Sequence, residues 1–330
     1  MTYVRLDGHR LAPLKETPMP TTRTRHLSLV ACLVSLTFAC GGGAPQNGAS
    51  SAAPATAPAG GGSATVVRIT GSDTMVNLVQ AWAENYRKTK PDVSVQVAGG
   101  GSGVGIAGLI DGILDLAAAS REMEAKEIER ATQKNGHKPT EYSVALDALS
   151  VYVHKDNPIN AISLEELAEI YGDKGSIDKW SQLNMKVPGC GSDTIVRVGR
   201  QNSSGTYVYF REAVLGAKRE YKLGSIDQSG SKDVVALVGR TPCAVGYSGM
   251  AYITPDVKAL KVSKAKGEAG VSPSNETAMN KTYPLARALY FYSPGDPKPE
   301  VKAFLDWVLS AEGQKIVKDV GFVPIGGPSS

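Results

Sequence analysis

From residue 65 onward, short apolar segments alternate with amphipathic segments of helical period. TVVRIT has the composition of a strand, and GSDT then precedes a helix with Val76, Val79 and Trp82 on one face. The next strand lies in PDVSVQV and is followed by a glycine-rich loop and a short helix, Val104 to Ile110. Strands and helices that alternate in this way pack as a largely parallel sheet covered by helices. The sequence therefore predicts an α/β fold.

The alternation continues towards the end of the chain. LDLAAAS predicts a short strand, and REMEAKEIERATQKN predicts a charged helix that ends near Gly136. ALDALSVYVHKDNP is a longer apolar run, and Ser163 with Glu166 forms a capping-box pattern at the start of a helix. DTIVRVGRQNSSGTYVYFREAVLG predicts a strand, a polar loop and a helix, and SKDVVALVGRTPCAVGYSGMAYI predicts a helix, a turn and a strand. The C-terminal segment PEVKAFLDWVLSAEGQKIVKDVGF predicts a helix pair or one long helix.

The N-terminal region has the pattern of an export signal. Arginines precede an uncharged apolar run from Leu27 to Ala39, which is too short for a permanent membrane span. Counted from Met19, rather than from Met1, the charged leader has an ordinary length, so we expect Met19 to be the true start. The residues before Cys40 resemble a bacterial lipobox, which predicts a signal peptide at 1–39 and a lipidated Cys40. A plain signal peptide cut nearby is the alternative.

Composition separates a tether from the folded part. Residues 41–64 are almost entirely Gly, Ala, Pro, Ser and Thr without a charge, so they predict a flexible tether. Without residues 1–39 the chain has 31 Lys and Arg against 30 Asp and Glu, a net charge of +1, which argues against a nucleic-acid-binding surface. Cys190 and Cys243 are then the pair left in the folded part, either as one disulfide or as two free thiols.

One local pattern, a strand, a turn rich in Gly, Ser and Thr, and then a helix, occurs three times. The turns are Gly71 to Thr74 with Ser72 and Asp73, Gly101 to Gly103, and Asn202 to Thr206. Hydroxyls and free backbone N–H groups at a helix N-terminus favour an anion, although Ser and Thr are also ordinary N-caps. Arg200, four residues before Ser204, adds a planar guanidinium group whose N–H donors can bind two oxygens of one anion. Together these features indicate a small oxyanion.

Other functions have weaker support. Gly103, Gly105 and Gly108 match G-x-G-x-x-G, but three further glycines separate the strand from Gly103, and the following strand ends in Ser120 rather than in a carboxylate. No metalloprotease, nucleophile-elbow or Walker motif is present. A secreted phosphoester hydrolase with Ser102 or Ser204 as nucleophile stays an alternative. The two histidines of the predicted folded part, His137 and His154, each adjoin a lysine and are expected to be solvated.

The segments ITGSDTM, GGGSGVGIAGLIDGILDLAAASR, GRQNSSGTYVYF and TPCAVGYSG occur in an order and spacing that resemble the PstS phosphate-binding proteins of ABC transporters. The resemblance covers about residues 66–325. It implies a two-lobed fold of the periplasmic-binding-protein type II, with the ligand in the cleft and two crossing strands as the hinge. ALDALSVYV and YSGMAYI suit the crossings. Lobe one is then expected at 66–147 plus 251–330, and lobe two at 148–250.

The resemblance also implies the phosphate ligands. They are Thr74 and Met75 with Ser72 beside them in the first turn, Ser102 in the second, and Arg200, Ser204, Gly205 and Thr206 in the third. Ser120 stands where other members have an aspartate that accepts a hydrogen bond from protonated phosphate. Asp73 is the candidate for the missing carboxylate, with a helix N-cap as its alternative role. Arg121 is a candidate second cation, or a partner of Glu122 or Glu124.

These inferences converge on an exported lipoprotein, periplasmic or on the cell surface, that binds inorganic phosphate and delivers it to an ABC permease and, through it, an ATPase. We expect a monomer without enzymatic activity, cofactor, metal or nucleic-acid partner. The alternatives are a binder of sulfate, molybdate or another oxyanion, the phosphoester hydrolase named above, and a surface phosphate sensor without transport.

Overall fold

The computed structural model describes residues 65–216 and 218–326, all within one compact unit that extends from Ala59 to Ser330. The predicted signal peptide, Cys40 and the tether lie outside the described residues. The strands are β1 (Thr65–Gly71), β2 (Val93–Ala98), β3 (Leu116–Ala119), β4 (Thr140–His154), β5 (Ala161–Ser163), β6 (Val196–Arg200), β7 (Ile226–Gln228), β8 (Ala244–Gly249), β9 (Val257–Ala259), β10 (Lys261–Ser263) and β11 (Ala286–Ser293).

The helices pack against the faces of the sheet that most of these strands form. They are α1 (Val76–Thr89), α2 (Ser102–Ile110), α3 (Ala125–Asn135), α4 (Leu164–Tyr171), α5 (Gly205–Phe210), α6 (Ser231–Gly239), α7 (Asn275–Met279), α8 (Pro299–Val308) and α9 (Ala311–Asp319). A short π-helix, Arg211–Leu215, continues α5, and 3₁₀ turns occupy Trp180–Leu183 and Met250–Tyr252. No helix in residues 65–216 and 218–326 is both long and apolar enough to cross a membrane.

The main sheet consists of two parallel halves joined by antiparallel strands. Its order is β2-β1-β3-β11-β4-β8-β6-β7, with β9 also paired to β4. β1 runs parallel to β2 and β3, and β6 runs parallel to β7 and β8. Between the halves, β11 and β4 are antiparallel to each other and to their outer neighbours. The predicted α/β class is confirmed. The alternation of strands and helices in the sequence did not predict the antiparallel strands β4 and β11 at the centre of the sheet.

Strand β4 belongs to both halves of the sheet. Its first part pairs with β11 up to Ala148, and its second part pairs with β8 from Leu149 onward. This 15-residue strand contains ALDALSVYV, which the sequence predicts as the first crossing. The change of partner falls beside the predicted lobe boundary at 147/148. The lobe boundaries themselves stay a prediction.

Two large groups of buried side chains flank the sheet. One surrounds Trp82, which is fully buried on α1, with Phe291 and Phe304 nearby. Its indole Nε1 donates a 2.8 Å hydrogen bond to the carbonyl of Gly313, so the buried N–H is satisfied. The other surrounds Tyr171, Phe210 and Tyr247, whose rings pack together. These cores fix the strand ends that carry the polar turns.

Local signals in the sequence predicted several element ends. α3 ends at Gly136, whose φ of 76° suits a glycine at a helix C-terminus. Ser163 and Glu166 form the predicted capping box of α4. The tail is a helix pair, with a break between α8 and α9. α2 begins at Ser102, two residues earlier than predicted, because the backbone turns into the helix directly after Gly101.

Cys190 and Cys243 form a disulfide, with their Cα atoms 5.0 Å apart. Of the two predicted alternatives, the structure therefore confirms one disulfide rather than two free thiols. The bond ties the loop before β6 to the start of β8, and the two cysteines are 53 residues apart in sequence. Trp180 packs beside it and donates its indole N–H to the carbonyl of Cys243 at 3.0 Å.

Candidate anion-binding site

Six hydroxyl side chains from five turns lie together at the carboxyl ends of the parallel strands. Oγ1 of Thr74 is 2.9 Å from Oγ1 of Thr206 and 3.4 Å from Oγ of Ser231. Oγ of Ser102 is 3.4 Å from Oγ of Ser120 and accepts the Ser120 backbone N–H at 3.1 Å. We call this group the hydroxyl cluster; its members are Thr74, Ser102, Ser120, Ser204, Thr206 and Ser231. All six are buried to 2% exposure or less.

The predicted turns supply most of the hydroxyl cluster. Thr74 precedes α1, Ser102 is the first residue of α2, and Ser204 caps α5 by accepting the Thr206 backbone N–H at 3.1 Å. Helix N-termini carry unpaired N–H groups and the positive end of the helix dipole. The arrangement is therefore suited to negative charge.

Glycines allow these turns to approach each other. Gly101 has a φ of +98°, and a Cβ built on it would lie 2.4 Å from the carbonyl oxygen of Ser203. Its neighbour Gly103 donates its backbone N–H to the same oxygen at 2.9 Å. A Cβ on Gly205 would lie 2.3 Å from Oγ of Ser102. The absence of a side chain at Gly101 and Gly205 thus lets the second and third turns come into contact.

Arg200 lies at the end of β6 with its side chain fully buried. Nη1 donates to Oγ of Ser231 at 3.1 Å, and Nη2 donates to the Ser229 carbonyl at 2.8 Å and to Oδ2 of Asp73 at 3.2 Å. Burial lowers the pKa of Arg200, and the nearby charge of Asp73 offsets part of this shift. Because a guanidinium is protonated far above neutral pH, Arg200 keeps its charge there despite its burial.

Asp73 is fully engaged by protein partners. Its Oδ1 accepts the backbone N–H of Gly100 at 2.8 Å, while Oδ2 forms the ion pair with Arg200. The predicted alternative role of Asp73 as an N-cap is wrong, because α1 has Met75 at the N-cap position and no side-chain cap. Met75 is buried in the core beside the turn. Ser72 is buried too, and its Oγ has no hydrogen-bond partner among the residues that the structure describes.

Arg121 turns away from the hydroxyl cluster towards α3. Its two Nη atoms donate to the carboxylate oxygens of Glu127 at 2.8 and 2.7 Å, and Nη1 also donates to the Glu122 carbonyl. Burial by itself lowers the pKa of Arg121, but the hydrogen bonds and charge of Glu127 outweigh it and raise the pKa overall. The expected carboxylate partners, Glu122 and Glu124, are therefore incorrect. The capping box of α3 holds Glu127 one turn into the helix, directly facing Arg121.

Three residues of the site were missed by the sequence analysis. Ser231 starts α6 after Ser229-Gly230, which repeats the Gly/Ser turn pattern and was a usable signal. The other two, Asp147 and Arg287, face each other on β4 and β11. Both are charged residues inside long apolar strands, and this anomaly was the signal that could have found them.

The Asp147–Arg287 ion pair adjoins the hydroxyl cluster. Nε and Nη2 of Arg287 donate to Oδ2 of Asp147 at 3.1 and 2.9 Å. Nη2 also donates to Oγ1 of Thr206, and Nη1 donates to the Ser120 carbonyl, each at 3.1 Å. The other side of Arg287 lies over the Tyr209 ring and lines a cavity of about 870 Å³ that also reaches Arg121. The site therefore contains a second buried guanidinium, supplied by Arg287 instead of Arg121.

The site is rich in hydrogen-bond donors suited to an oxyanion. Hydroxyls and guanidinium groups can donate many hydrogen bonds to an oxyanion in a water-poor site. Within residues 65–216 and 218–326, no hydrogen bond joins Ser102 or Ser204 to a histidine, and no group of His, Cys, Asp and Glu is arranged to hold a metal ion. His137 is exposed, whereas His154 is partly buried beside Asp156.

Comparison with known proteins agrees with the geometry. Residues 52–312 match the family model described as a PBP superfamily domain, so the chain is a two-lobed binding protein by class. The phosphate-binding protein PstS of Pseudomonas aeruginosa is 35% identical over 315 residues, which are 91% of this chain and 96% of that protein. The chain belongs to the PstS family of phosphate-binding proteins.

Further relatives and structures support this assignment. The phosphate-binding protein PstS of Bacillus subtilis is 30% identical over 299 residues, 90% of this chain and 92% of that protein. A crystal structure of a phosphate ABC transporter substrate-binding protein with bound phosphate from Clostridium perfringens has 28% identity and a TM-score of 0.70, covering 79% of this chain and all of that one. The family resemblance and the type II fold predicted from the sequence are both confirmed.

Proposed function

We propose that this protein captures inorganic phosphate between its two lobes and delivers it to an ABC permease for import. The observation that carries the proposal is the hydroxyl cluster around the buried guanidinium of Arg200. Thr74, Ser102 and Ser120 come from predicted lobe one, while Ser204, Thr206 and Ser231 come from predicted lobe two. An oxyanion held by donors from both lobes stabilises the closed arrangement, which is the usual result of hinge closure around a ligand.

The relatives support phosphate as the ligand. The proteins of P. aeruginosa and B. subtilis are named for phosphate binding, and the C. perfringens protein is described as a phosphate transporter component with phosphate bound. We place the phosphate ligands of this chain at Thr74, Met75, Ser102, Ser120, Arg200, Ser204, Gly205 and Thr206. Asp73 orients Arg200, and Ser72 supports the first turn.

The proposal includes the setting of the protein. We infer that the chain is exported, that Cys40 is lipidated, and that residues 41–64 tether a monomeric binding domain outside the cytoplasm. The permease pair and, through it, an ATPase are its partners. We infer that Ser102 and Ser204 donate to a ligand and do not act as nucleophiles, because neither is hydrogen-bonded to a basic side chain among residues 65–216 and 218–326.

Calorimetric titration tests the proposal. The purified chain is unfolded and refolded to remove bound ligand and is then titrated with phosphate, sulfate and molybdate near neutral pH. We expect phosphate to bind and excess sulfate to leave it in place. Heat with sulfate or molybdate and none with phosphate would keep the fold and reject the ligand. Turnover of a chromogenic phosphoester that Ser102→Ala or Ser204→Ala abolishes would instead support the hydrolase alternative.

A further inference from the structure

A cavity of about 210 Å³ lies between α5, β6, β7 and the loop that precedes β7. None of the six residues of the hydroxyl cluster lines it. Four tyrosines do, and we therefore call it the tyrosine pocket; they are Tyr171, Tyr207, Tyr221 and Tyr247. Sites for drug-sized molecules have volumes of about 300–1,000 Å³, so the tyrosine pocket suits a smaller ligand.

The phenol hydroxyls at the tyrosine pocket have acceptors rather than donors to spare. Tyr221 donates its hydroxyl hydrogen to the Tyr207 carbonyl at 2.9 Å. The Tyr247 hydroxyl, 3.0 Å from that of Tyr221, therefore donates to it. Tyr171 donates to the Val245 carbonyl at 2.9 Å. Burial raises the pKa of both Tyr171 and Tyr247, so both stay protonated. With their hydrogens used, these oxygens can only accept a further hydrogen bond.

Strand register brings a carboxylate to the same place. Asp227 on β7 is directly opposite Gly199 on the parallel strand β6. A Cβ on Gly199 would lie 2.7 Å from Oδ1 of Asp227 and 3.7 Å from the Tyr247 hydroxyl, so the two oxygens converge where the glycine leaves space. Burial raises the pKa of Asp227, and no cationic side chain among the described residues lowers it again. The carboxylate of Asp227 is therefore an unpaired acceptor at the tyrosine pocket.

The other charged side chains at the tyrosine pocket already have partners. Glu220 binds Nη1 of Arg211 at 3.1 Å, and Lys222 binds Asp178 at 2.9 Å. The charge of Asp227 is thus the uncompensated one. A carboxylate beside phenol oxygens that can only accept is best matched by a ligand that only donates. Guanidinium and ammonium groups are such donors, and aromatic rings attract them as well.

We propose that the tyrosine pocket binds a small organic cation with a guanidinium or ammonium head and a short aliphatic stem. The head donates to Oδ1 of Asp227 and to the Tyr247 hydroxyl. Leu223, which is 92% exposed at the rim of the pocket, offers the stem an apolar surface. Because the pocket shares no residue with the hydroxyl cluster, the cation binds whether or not phosphate is present.

The test titrates the chain with propylguanidinium and with propylurea, a neutral analogue of similar shape, and follows the backbone amides by NMR. We expect propylguanidinium to shift the amide signals of Gly199 and Asp227 and propylurea to leave them in place. Asp227→Asn keeps the shape of the side chain and should weaken propylguanidinium binding about 10- to 100-fold, the range for a hydrogen bond to a charged group. Asp256→Asn is the matched control and should bind normally, because Asp256 is also exposed but does not line the pocket.

Calorimetry with phosphate separates this inference from the proposed function. Neither aspartate belongs to the hydroxyl cluster, so both variants should bind phosphate as the unsubstituted chain does, which also shows that they are folded. If Asp227→Asn does not fold, Gly199→Ala serves instead, because its Cβ would occupy the space beside Asp227 and should block propylguanidinium.

Three results would overturn the inference: propylguanidinium that binds no better than propylurea, undiminished binding in folded Asp227→Asn, or an equal loss in Asp256→Asn. A further titration identifies the source of the cation. A blocked arginine-containing tripeptide that binds more tightly than propylguanidinium would support a side chain of a protein partner, and the reverse order would support a free small molecule.

Discussion

Replacement of Gly205 by alanine tests whether the hydroxyl cluster is the ligand site. A Cβ at this position would lie 2.3 Å from Oγ of Ser102 and 2.8 Å from Oγ of Ser120, whereas real contacts of this kind are at least 3.0 Å. The Ser102 hydroxyl would have to move by about 0.7 Å, which is enough to spoil a hydrogen bond to a fixed ligand. The new methyl group would also occupy the centre of the cluster.

The expected loss of binding follows from the displaced hydroxyls. Two hydrogen bonds to a charged ligand are worth about 1.5–3 kcal/mol each. Their loss therefore predicts at least about 100-fold weaker phosphate binding. The effect on stability is smaller, because overpacking costs about 1–3 kcal/mol while alanine is favoured over glycine in a helix by about 1 kcal/mol. The substitution should thus leave a folded protein that binds phosphate poorly.

Calorimetric titration gives the affinity of Gly205→Ala, and urea unfolding without phosphate gives its free energy of unfolding. The matched control is Gly191→Ala, because a Cβ on this exposed glycine would meet no atom within 4 Å and its φ is not left-handed. We expect the control to bind as the unsubstituted chain does and to change stability by less than about 0.5 kcal/mol. A folded Gly205→Ala variant with undiminished phosphate affinity would refute the assignment of the site to this cluster.

The remaining predictions concern the cation, the missed hydroxyl, the disulfide and the ligand itself. Arg200→Lys should weaken phosphate binding at least about 100-fold in calorimetry, since a lysine cannot reproduce the planar fork of donors; equal affinity would exclude a direct role. Ser231→Ala should weaken it about tenfold, and no change would remove Ser231 from the site. The double variant Cys190→Ser with Cys243→Ser should lose about 4 kcal/mol in urea unfolding, as loop entropy over a separation of 53 residues predicts; unchanged stability would contradict this. Phosphate at 100 times its Kd should add about 2.7 kcal/mol to the free energy of unfolding, and the absence of a shift would mean that the folded state is not the binding state.

The elements that could be predicted from the sequence are those with local signals. Gly136 and the Ser163 capping box mark helix ends through contacts within a few residues, and both are present in the structure. The turn before Thr74 and the turn before Thr206 were also visible, because each follows a strand and precedes a helix. The structure brings both turns together at 2.9 Å.

The parts that escaped prediction depend on pairing between distant segments. Asp147 and Arg287 are 140 residues apart, and nothing near either residue shows that β11 lies between β3 and β4. Arg121, in contrast, was predicted as a candidate ligand residue but does not lie at the site. Its place next to Ser120 suggested a role at the ligand, yet a carboxylate six residues further along the chain, on Glu127, binds it. Strand order and side-chain direction decide both cases, and neither is encoded in a short sequence window.

In the proposed function, the polar contacts across the site couple ligand recognition to closure of the two predicted lobes. Thr74 with Thr206, Asp73 with Arg200, and Arg287 with Thr206 each join predicted lobe one to predicted lobe two. Three of the residues in these contacts, Thr74, Arg200 and Thr206, are also residues that we assign to phosphate. A bound anion can therefore satisfy donors from both lobes at once, and the energy of closure depends on its presence. Under the same proposal, a permease that contacts both predicted lobes would distinguish a loaded protein from an empty one by the relative position of the lobes.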